Sequence, residues 1–284
     1  MCKVCKRRGD LFLHPNDEKR ETEGFEKVPP VTSRILPEDL RGRHGILQRL
    51  KERWYDNIIL SIPHAGIKGL GHIKCDNKVN LISEVRRWTD WYTDLVFIPE
   101  KKMDRVKHIM AEYSRYVVDV ERLLNDPLAE EGKGIIYTKY DGQHRYVNKE
   151  ERTKLMAYYY DYQDRLKSML SEHSLLIDCH SFPSDLSDVD ICIGFNEDWS
   201  KPTDFVIDLV VELFKQHGYK VGINTPFSNA IAPETGYTYN SIMIELNKRV
   251  YLNEETFEFN DNAPKLREQL ASLYSLLLRY SEEV

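Results

Sequence analysis

The chain has 284 residues, of which 41% are hydrophobic and 30% are charged, a composition typical of a folded globular protein. Its net charge of −6 argues against a general binder of nucleic-acid backbones, because such proteins need an excess of positive charge. No stretch approaches the roughly 18 apolar residues that span a bilayer, and the N-terminus lacks the apolar run of a secretory signal. We therefore expect a soluble, cytoplasmic protein that binds neither nucleic acid nor membranes.

The N-terminal part of the chain differs from the rest in composition. Residues 1–55 are basic, contain several prolines and show little apolar periodicity. We predict that they form a partly irregular extension with a short helix over 37–54, and that 56–284 form a single α/β domain. Cys2 and Cys5 make a CxxC pair with no second pair nearby, so we interpret them as incidental; half of a metal site and a redox pair are the alternatives.

Beyond this extension, short apolar runs alternate with longer amphipathic stretches, which predicts strands alternating with helices. In chain order we predict a strand over 58–62, a helix running into a strand over 82–97, a strand over 110–120, a helix over 149–171, strands over 175–177 and 190–194, a helix over 203–214 with Gly218 as its C-cap, strands over 219–223 and 241–246, and a helix around 266–277. This order predicts a three-layer α/β fold, with a mostly parallel or mixed twisted sheet and helices on both faces. In such sheets, ligands bind beyond the carboxyl ends of the strands.

Polar residues capable of chemistry follow or interrupt three of the predicted strands. His64 follows the first strand, and Gly66 is expected to allow a sharp turn there. Asp178 and His180 end another strand on one face, so Asp178 is expected either to orient His180 or to pair with an arginine. Glu245 lies inside an apolar run, which is costly unless the carboxylate is paired or functional. Two histidines and a carboxylate at strand ends are typical of a metal hydrolase.

A catalytic zinc site takes three protein ligands and leaves one position for water. His64 and His180 supply two ligands, and two histidines with one carboxylate suit zinc. The HxxE spacing of many zinc peptidases is excluded, because Ile67 occupies the position of the glutamate. Asp90 and Asp94 lie four residues apart on one face of the next predicted helix. The residues alone leave both aspartates open as the third ligand.

Several short motifs follow one another along residues 57–280: SIPHAG, TDWYTDLVF, SRYVVDVER, LLIDCHSFP, DICIGFN, GINTPF and IMIELNKRVYL. In their order and spacing they resemble the N-formylglutamate amidohydrolase family, which is similar to zinc carboxypeptidases in its phosphorylase/hydrolase-like α/β fold. The resemblance implies one zinc ion per chain, with His64, Asp90 and His180 as its ligands. It also implies that Glu245 is the general acid/base.

The same resemblance implies which residues bind the substrate. Arg115 and Arg122 are expected to bind substrate carboxylates, because guanidinium groups form paired hydrogen bonds with them. The alternative for each arginine is a structural ion pair with Asp119 or Glu121. Asn224 is expected to donate a hydrogen bond to the substrate, with a turn residue as the alternative.

The implied reaction is zinc-dependent hydrolysis of a small anionic N-acyl amino acid such as N-formyl-L-glutamate, releasing formate and glutamate, as in histidine degradation. The chain departs from the family pattern at Glu121, where asparagine is usual, and over 228–233, which replace a glycine-rich turn. Both departures lie where substrate is expected. The alternatives are therefore a carboxypeptidase-like hydrolase of another acylated amine or peptide, and a non-catalytic binding module on the same fold.

Overall fold

Strands and helices alternate along residues 55–278 apart from residue 141, which are the residues that the computed structural model describes. The strands are β1 (Asn57–Ile62), β2 (Val106–Met110), β3 (Lys139–Tyr140), β4 (Gln143–His144), β5 (Ser174–Phe182), β6 (Ile191–Gly194), β7 (Val221–Ile223), β8 (Asn240–Asn247), β9 (Leu252–Asn253) and β10 (Glu258–Phe259). The α-helices are α1 (Lys78–Trp88), α2 (Thr93–Phe97), α3 (Lys149–Met169), α4 (Asp204–Gln216) and α5 (Ala263–Leu278). Short 3-10 helices lie at Leu70–His72, Pro127–Ala129 and Lys248–Val250. The predicted extension, its helix over 37–54 and the Cys2–Cys5 pair lie outside the described residues.

Six of these strands form one mixed sheet, in the order β2-β1-β5-β8-β6-β7. Strands β2, β1, β5 and β8 pair in parallel, β6 runs antiparallel to β8, and β7 pairs in parallel with β6. Parallel neighbours require crossover connections, which the intervening helices provide. The predicted mostly parallel or mixed sheet is confirmed, while the domain boundary at residue 55 stays a prediction.

Helices cover both faces of the sheet, which explains why its central strands are apolar almost throughout. Ile58 and Leu60 of β1 belong to a core that includes residues of α4 and α5. Ile59, between them, points to the other face and belongs to a core with Tyr162 and Leu166 of α3. This alternation follows from the two-residue period of a strand and gives the predicted three layers. Among the described helices, none has the length and apolar character needed to cross a membrane.

Two predictions of local structure are wrong. The strand predicted at the end of 82–97 is the short helix α2, which begins after Tyr92 turns the chain with a φ of 62°. The strand predicted over 110–120 is also absent, because β2 ends at Met110 and the following residues form turns, such as the hydrogen bond from Val117 N to the Ser114 carbonyl (2.8 Å). Tyr116, Val117, Val118 and Val120 of this stretch are buried, and burial in a turn gives the same residue pattern as burial in a strand.

Two glycines have specific roles in this fold. Gly218 follows α4 with a φ of 87°, and the next residue donates its N–H to the Phe214 carbonyl, which confirms the predicted C-cap. Gly66 acts for a different reason from the one predicted. A Cβ there would lie 2.4 Å from the carbonyl oxygens of Ala111 and Glu112. The missing side chain therefore lets the chain after β1 approach the chain after β2 closely.

Candidate metal centre

The three predicted polar clusters meet at the carboxyl ends of β1, β5 and β8. The parallel register of β5 and β8 sets His180 directly beside Glu245. Asp178, two residues before His180, points to the same face. His64 lies two residues beyond the end of β1. Asp90 comes from the connection between α1 and α2, where its N–H donates to the His64 carbonyl (3.2 Å).

The structure brings Asp90, and not Asp94, to the two histidines. The predicted shared helix face of these aspartates is wrong, because Asp90 lies between two helices and Tyr92 interrupts the helical backbone. The carbonyl of Asp90 accepts hydrogen bonds from the N–H (3.3 Å) and hydroxyl (3.0 Å) of Thr93. These bonds fix the turn that presents the Asp90 carboxylate.

The donor atoms of His64, Asp90 and His180 fit one metal ion. Asp90 Oδ2 lies 3.8 Å from His64 Nδ1 and 3.1 Å from His180 Nδ1, and all three atoms lie within 4.8 Å of one another. Tetrahedral zinc with bonds of about 2.0–2.1 Å separates its ligand atoms by about 3.3 Å. All three residues are buried, and His64 Nδ1 has no hydrogen-bond partner. A buried, unpartnered imidazole nitrogen beside a carboxylate is the donor chemistry that zinc requires.

A carboxylate lies behind each histidine, on the Nε2 side of its ring. His64 Nε2 is 2.8 Å from Asp119 Oδ1, and His180 Nε2 is 3.0 Å from Asp178 Oδ1. Asp178 accepts a hydrogen bond from Ile231 N (3.0 Å). At His64 the hydrogen bond with Asp119 keeps the proton on Nε2 and leaves the Nδ1 lone pair for a metal. At His180, Nε2 and Asp178 Oδ1 lie at ion-pair distance, and neither makes a hydrogen bond. The structure thus places Asp178 beside a histidine rather than beside an arginine, as the first of its two predicted roles requires.

Asp119 is the hub of a buried ionic network that sequence analysis did not assign to the site. Its Oδ2 lies 3.3 Å from Arg115, 3.4 Å from Arg122 and 3.3 Å from the Tyr137 hydroxyl, which donates to it. Burial alone would raise the pKa of Asp119, but His64 and the two arginines hold it well below its usual range. Arg115 and Arg122 therefore form structural ion pairs with Asp119. Sequence analysis gave such pairs as the alternative to substrate binding.

Glu121 is the second acidic residue whose contacts with the histidines sequence analysis did not predict, although it placed Glu121 where substrate is expected. Its two carboxylate oxygens lie 3.3 Å from His64 Nε2 and 3.4 Å from His180 Nε2. Burial opposes ionisation, but the neighbouring His180 and then His64 lower the pKa of Glu121 to about 2. Its signal in the sequence was the density of charged residues in an otherwise apolar stretch, which is costly unless the charges are used.

Two further buried titratable residues lie close to the ligands. Glu245 Oε2 has no hydrogen-bond partner, and burial raises the pKa of Glu245 to about 8, with His180 opposing the shift and Asp90 adding to it. Lys248 follows β8 and donates a hydrogen bond from its ammonium group to the Arg87 carbonyl. Burial lowers the pKa of Lys248 to about 8 despite the nearby carboxylates. Sequence analysis missed Lys248, whose signal was a cation within a mainly apolar run.

Asn224 lies in a turn after β7. Its φ is 48°, its N–H donates to the Ile193 carbonyl (2.9 Å), and its side-chain oxygen accepts from Phe195 N (3.0 Å). These contacts are those of a turn residue, which sequence analysis gave as the alternative to substrate binding. A hydrogen bond from its amide nitrogen to substrate stays a prediction.

Residues 111–122, hereafter the 111–122 segment, carry Asp119, Glu121 and both arginines. Side chains of α3 bind its backbone: Tyr158 accepts from Glu112 N (2.8 Å), Tyr159 donates to the Arg122 carbonyl (2.9 Å) and Gln163 donates to the Val120 carbonyl (2.5 Å). The buried Arg145 donates to the carbonyls of Tyr116 (2.7 Å) and Val117 (2.8 Å). Backbone pairing is limited to a bridge between Tyr113 and Lys68 and to single hydrogen bonds with Ile62 and Ile135. Side chains therefore supply much of the support of the segment.

Comparisons with known proteins agree with this architecture. A family model described as N-formylglutamate amidohydrolase matches residues 56–252. The fold is similar to that of an N-formylglutamate amidohydrolase from Ralstonia eutropha JMP134, with a TM-score of 0.64 and 19% identity over 81% of this chain and 95% of that one. It is also similar to the gene product Atu2144 from Agrobacterium tumefaciens, with a TM-score of 0.53 and 16% identity over 80% of this chain and 93% of that one. No curated protein sequence matches the chain.

Proposed function

This chain belongs to the N-formylglutamate amidohydrolase family, and we propose that it hydrolyses the amide bond of a small N-acyl amino acid with one bound zinc ion. The reference substrate is N-formyl-L-glutamate, which would yield formate and glutamate. The observation that carries the proposal is the buried group of His64, Asp90 and His180, whose donor atoms converge within 4.8 Å, with Glu245 on the adjacent strand. A part in histidine degradation stays a prediction of the family resemblance, and a cytoplasmic location stays a separate prediction of the sequence analysis.

Each residue of the centre has a distinct part in this reaction. Zinc held by His64, Asp90 and His180 would lower the pKa of a water molecule from 15.7 to about 7 and polarise the acyl oxygen. Glu245 takes a proton from the attacking water and returns it to the leaving nitrogen, which contributes about 10²–10⁴-fold to the rate. A buried glutamate with a raised pKa suits this role, because it can hold the proton between the two steps near neutral pH.

The proposed substrate contacts use N–H groups that are not used in hydrogen bonds within the protein. A guanidinium group has five N–H donors, so Arg115 and Arg122 keep donors beyond those that bind Asp119. We assign these donors to the α-carboxylate of the substrate, which accounts for the expected anionic ligand. The amide nitrogen of Asn224 is the third proposed contact, because the Asn224 oxygen is already bound to Phe195 N.

The experiment is formate release from N-formyl-L-glutamate by zinc-loaded protein, with Glu245→Gln as the test variant. We expect activity at one zinc per chain, and a loss of about 10²–10⁴-fold in kcat in a variant that still binds zinc. Glu212→Gln, on the surface of α4 beside Lys215, is the matched control and should leave kcat unchanged.

Two results would contradict parts of the proposal separately. Full activity after a chelator has removed all metal would exclude the role of zinc. No formate release from protein that holds one zinc per chain would exclude N-formyl-L-glutamate as the substrate and leave the metal site unaffected.

A further inference from the structure

The titratable residues of the centre divide into a buried set and a set that solvent reaches. The side chains exposed by 5% or less are His64, Asp90, Asp119, Asp178 and His180. Arg115 is exposed by 18%, Arg122 by 22% and Glu121 by 28%. The last three are therefore the charged groups of this network that a substrate can contact directly.

At each metal-bound imidazole, which has one N–H to donate, another carboxylate lies closer to Nε2 than Glu121 does. Asp119 lies 2.8 Å from His64 Nε2, against 3.3 Å for Glu121. Asp178 lies 3.0 Å from His180 Nε2, against 3.4 Å for Glu121. Within the described residues, the two imidazoles are the only ion-pair contacts of Glu121, so its carboxylate is left with acceptor capacity for a ligand.

The reachable groups form a pattern of opposite charges. Arg115 and Arg122 share the carboxylate of Asp119, and Arg122 also lies 3.6 Å from Asp126; the guanidinium N–H groups that these contacts leave unused suit the α-carboxylate of an amino acid. Glu121 adds a negative charge on the same segment. An acyl amino acid whose side chain carries a second carboxylate would bring like charges together, and such an arrangement discriminates against that substrate.

We propose that Glu121 determines specificity by binding a cationic group of the substrate, so that this protein prefers an N-acyl amino acid with a positively charged side chain, such as N-formyl-L-lysine, to N-formyl-L-glutamate. The proposal rests on the proposed function, because it keeps the zinc ligands, Glu245 and the arginine contacts. It replaces only the side chain that the substrate presents to Glu121.

The test compares kcat/KM of the zinc-loaded protein for the N-formyl derivatives of L-lysine, L-glutamine and L-glutamate. We expect the order lysine, glutamine, glutamate, with about tenfold between the first and the last, since a partly exposed ion pair has roughly this effect. Glu121→Gln should bring the three values together, and Glu121→Lys should reverse their order. Glu212→Gln should keep the wild-type order. Zinc content and thermal midpoint identify any variant that does not fold.

The outcomes separate this proposal from the function on which it rests. A wild-type preference for the glutamate derivative, or an order that both Glu121 variants leave unchanged, overturns the specificity proposal while hydrolysis itself stands. If none of the three compounds is hydrolysed, the proposed function fails for this substrate class, and calorimetric binding to zinc-loaded protein decides the role of Glu121. Tighter binding of the lysine derivative that Glu121→Lys reverses supports the role, whereas equal or absent binding of all three overturns it.

Discussion

The carboxyl ends of β1, β5 and β8 and the 111–122 segment build the same centre, but their positions are fixed by different interactions. In the strands, backbone pairing sets the register, so the position of His180 beside Glu245 follows from the sheet itself. The 111–122 segment has no continuous ladder: besides one bridge to Lys68 and single backbone bonds to Ile62 and Ile135, it depends on side chains of α3, on Arg145 and on the ion pairs of Asp119. The sheet therefore fixes most of the atoms that would do the chemistry, whereas side-chain contacts fix most of the atoms that would choose the substrate.

The largest effect should come from removing the charge of Asp119 in the 111–122 segment, compared with that of Asp178 in the strand. Asp119→Asn removes the buried carboxylate that Arg115 and Arg122 share, and breaking such a network costs about 3–5 kcal/mol of unfolding free energy. Asp178→Asn removes a contact to one histidine and should cost about 1–3 kcal/mol. Both variants should bind zinc about 10–100-fold more weakly, because each loses a carboxylate behind a ligand.

Urea unfolding and zinc competition with a chelator measure these two quantities for each variant. Equal losses of stability in the two variants would contradict the comparison, since the segment would then depend on its ionic network no more than the strand does.

The next prediction concerns Lys248, which follows β8 on the strand side of the centre. It tests how much the burial of its charged ammonium group costs in unfolding free energy. The pKa of Lys248 is about 8 in the folded chain, below the value of about 10.4 for an exposed lysine. Below pH 8 the lysine is charged in both states, so the full cost of burial is present. Between pH 8 and 10.4 mainly the unfolded chain keeps the proton, so the free energy of unfolding rises with pH.

Relative to Lys248→Met, the wild type should therefore gain up to about 3 kcal/mol of unfolding free energy between pH 8 and 10.4. Urea titrations of both proteins across this range measure the difference, and the variant cancels the contributions of other titrating groups. If the unfolding free energies of the wild type and of Lys248→Met change with pH in parallel, Lys248 stays charged in the folded protein across this range.

The smallest expected effect on stability comes from substituting Asn224 in the turn after β7. Glycine accepts the φ of 48° at Asn224, so Asn224→Gly should cost about 1 kcal/mol or less, and Asn224→Ala should cost about 1 kcal/mol more. If the residue acts only in the turn, kcat/KM changes by less than about twofold in both variants. A large rise in KM at nearly normal stability would instead establish the substrate contact.

The strand side of the centre could be predicted from the sequence because buried strands are continuous apolar runs that end in polar residues. His64, His180 and Glu245 stand out against that background, and parallel pairing then brings them together. Asp90 was different, since residue spacing left two aspartates open and only the family motif chose between them. The turn at Tyr92 that separates them depends on tertiary contacts, which local periodicity does not encode.

The 111–122 segment could not be predicted in the same way. Its β-branched and aromatic residues report burial, and burial alone does not distinguish a strand from a packed turn. Asp119 therefore entered the sequence analysis only as an ion-pair partner of the arginines, and Glu121 only as such a partner and as a departure from the family pattern. The closeness of Asp119 to His64, and of Glu121 to both histidines, is set by the Gly66 contact and by α3, and each of these joins positions far apart in the chain.

The contacts between α3 and the 111–122 segment join residues 37 to 46 positions apart in the sequence. Contacts of that separation form late, because the chain between them must first be ordered. Helix formation takes microseconds or less, so a refolding chain regains its helical signal well before Asp119 reaches the back of His64. Binding of the proposed zinc ion would then report a late stage of assembly, and a refolding chain would regain its circular dichroism before it could bind the metal tightly.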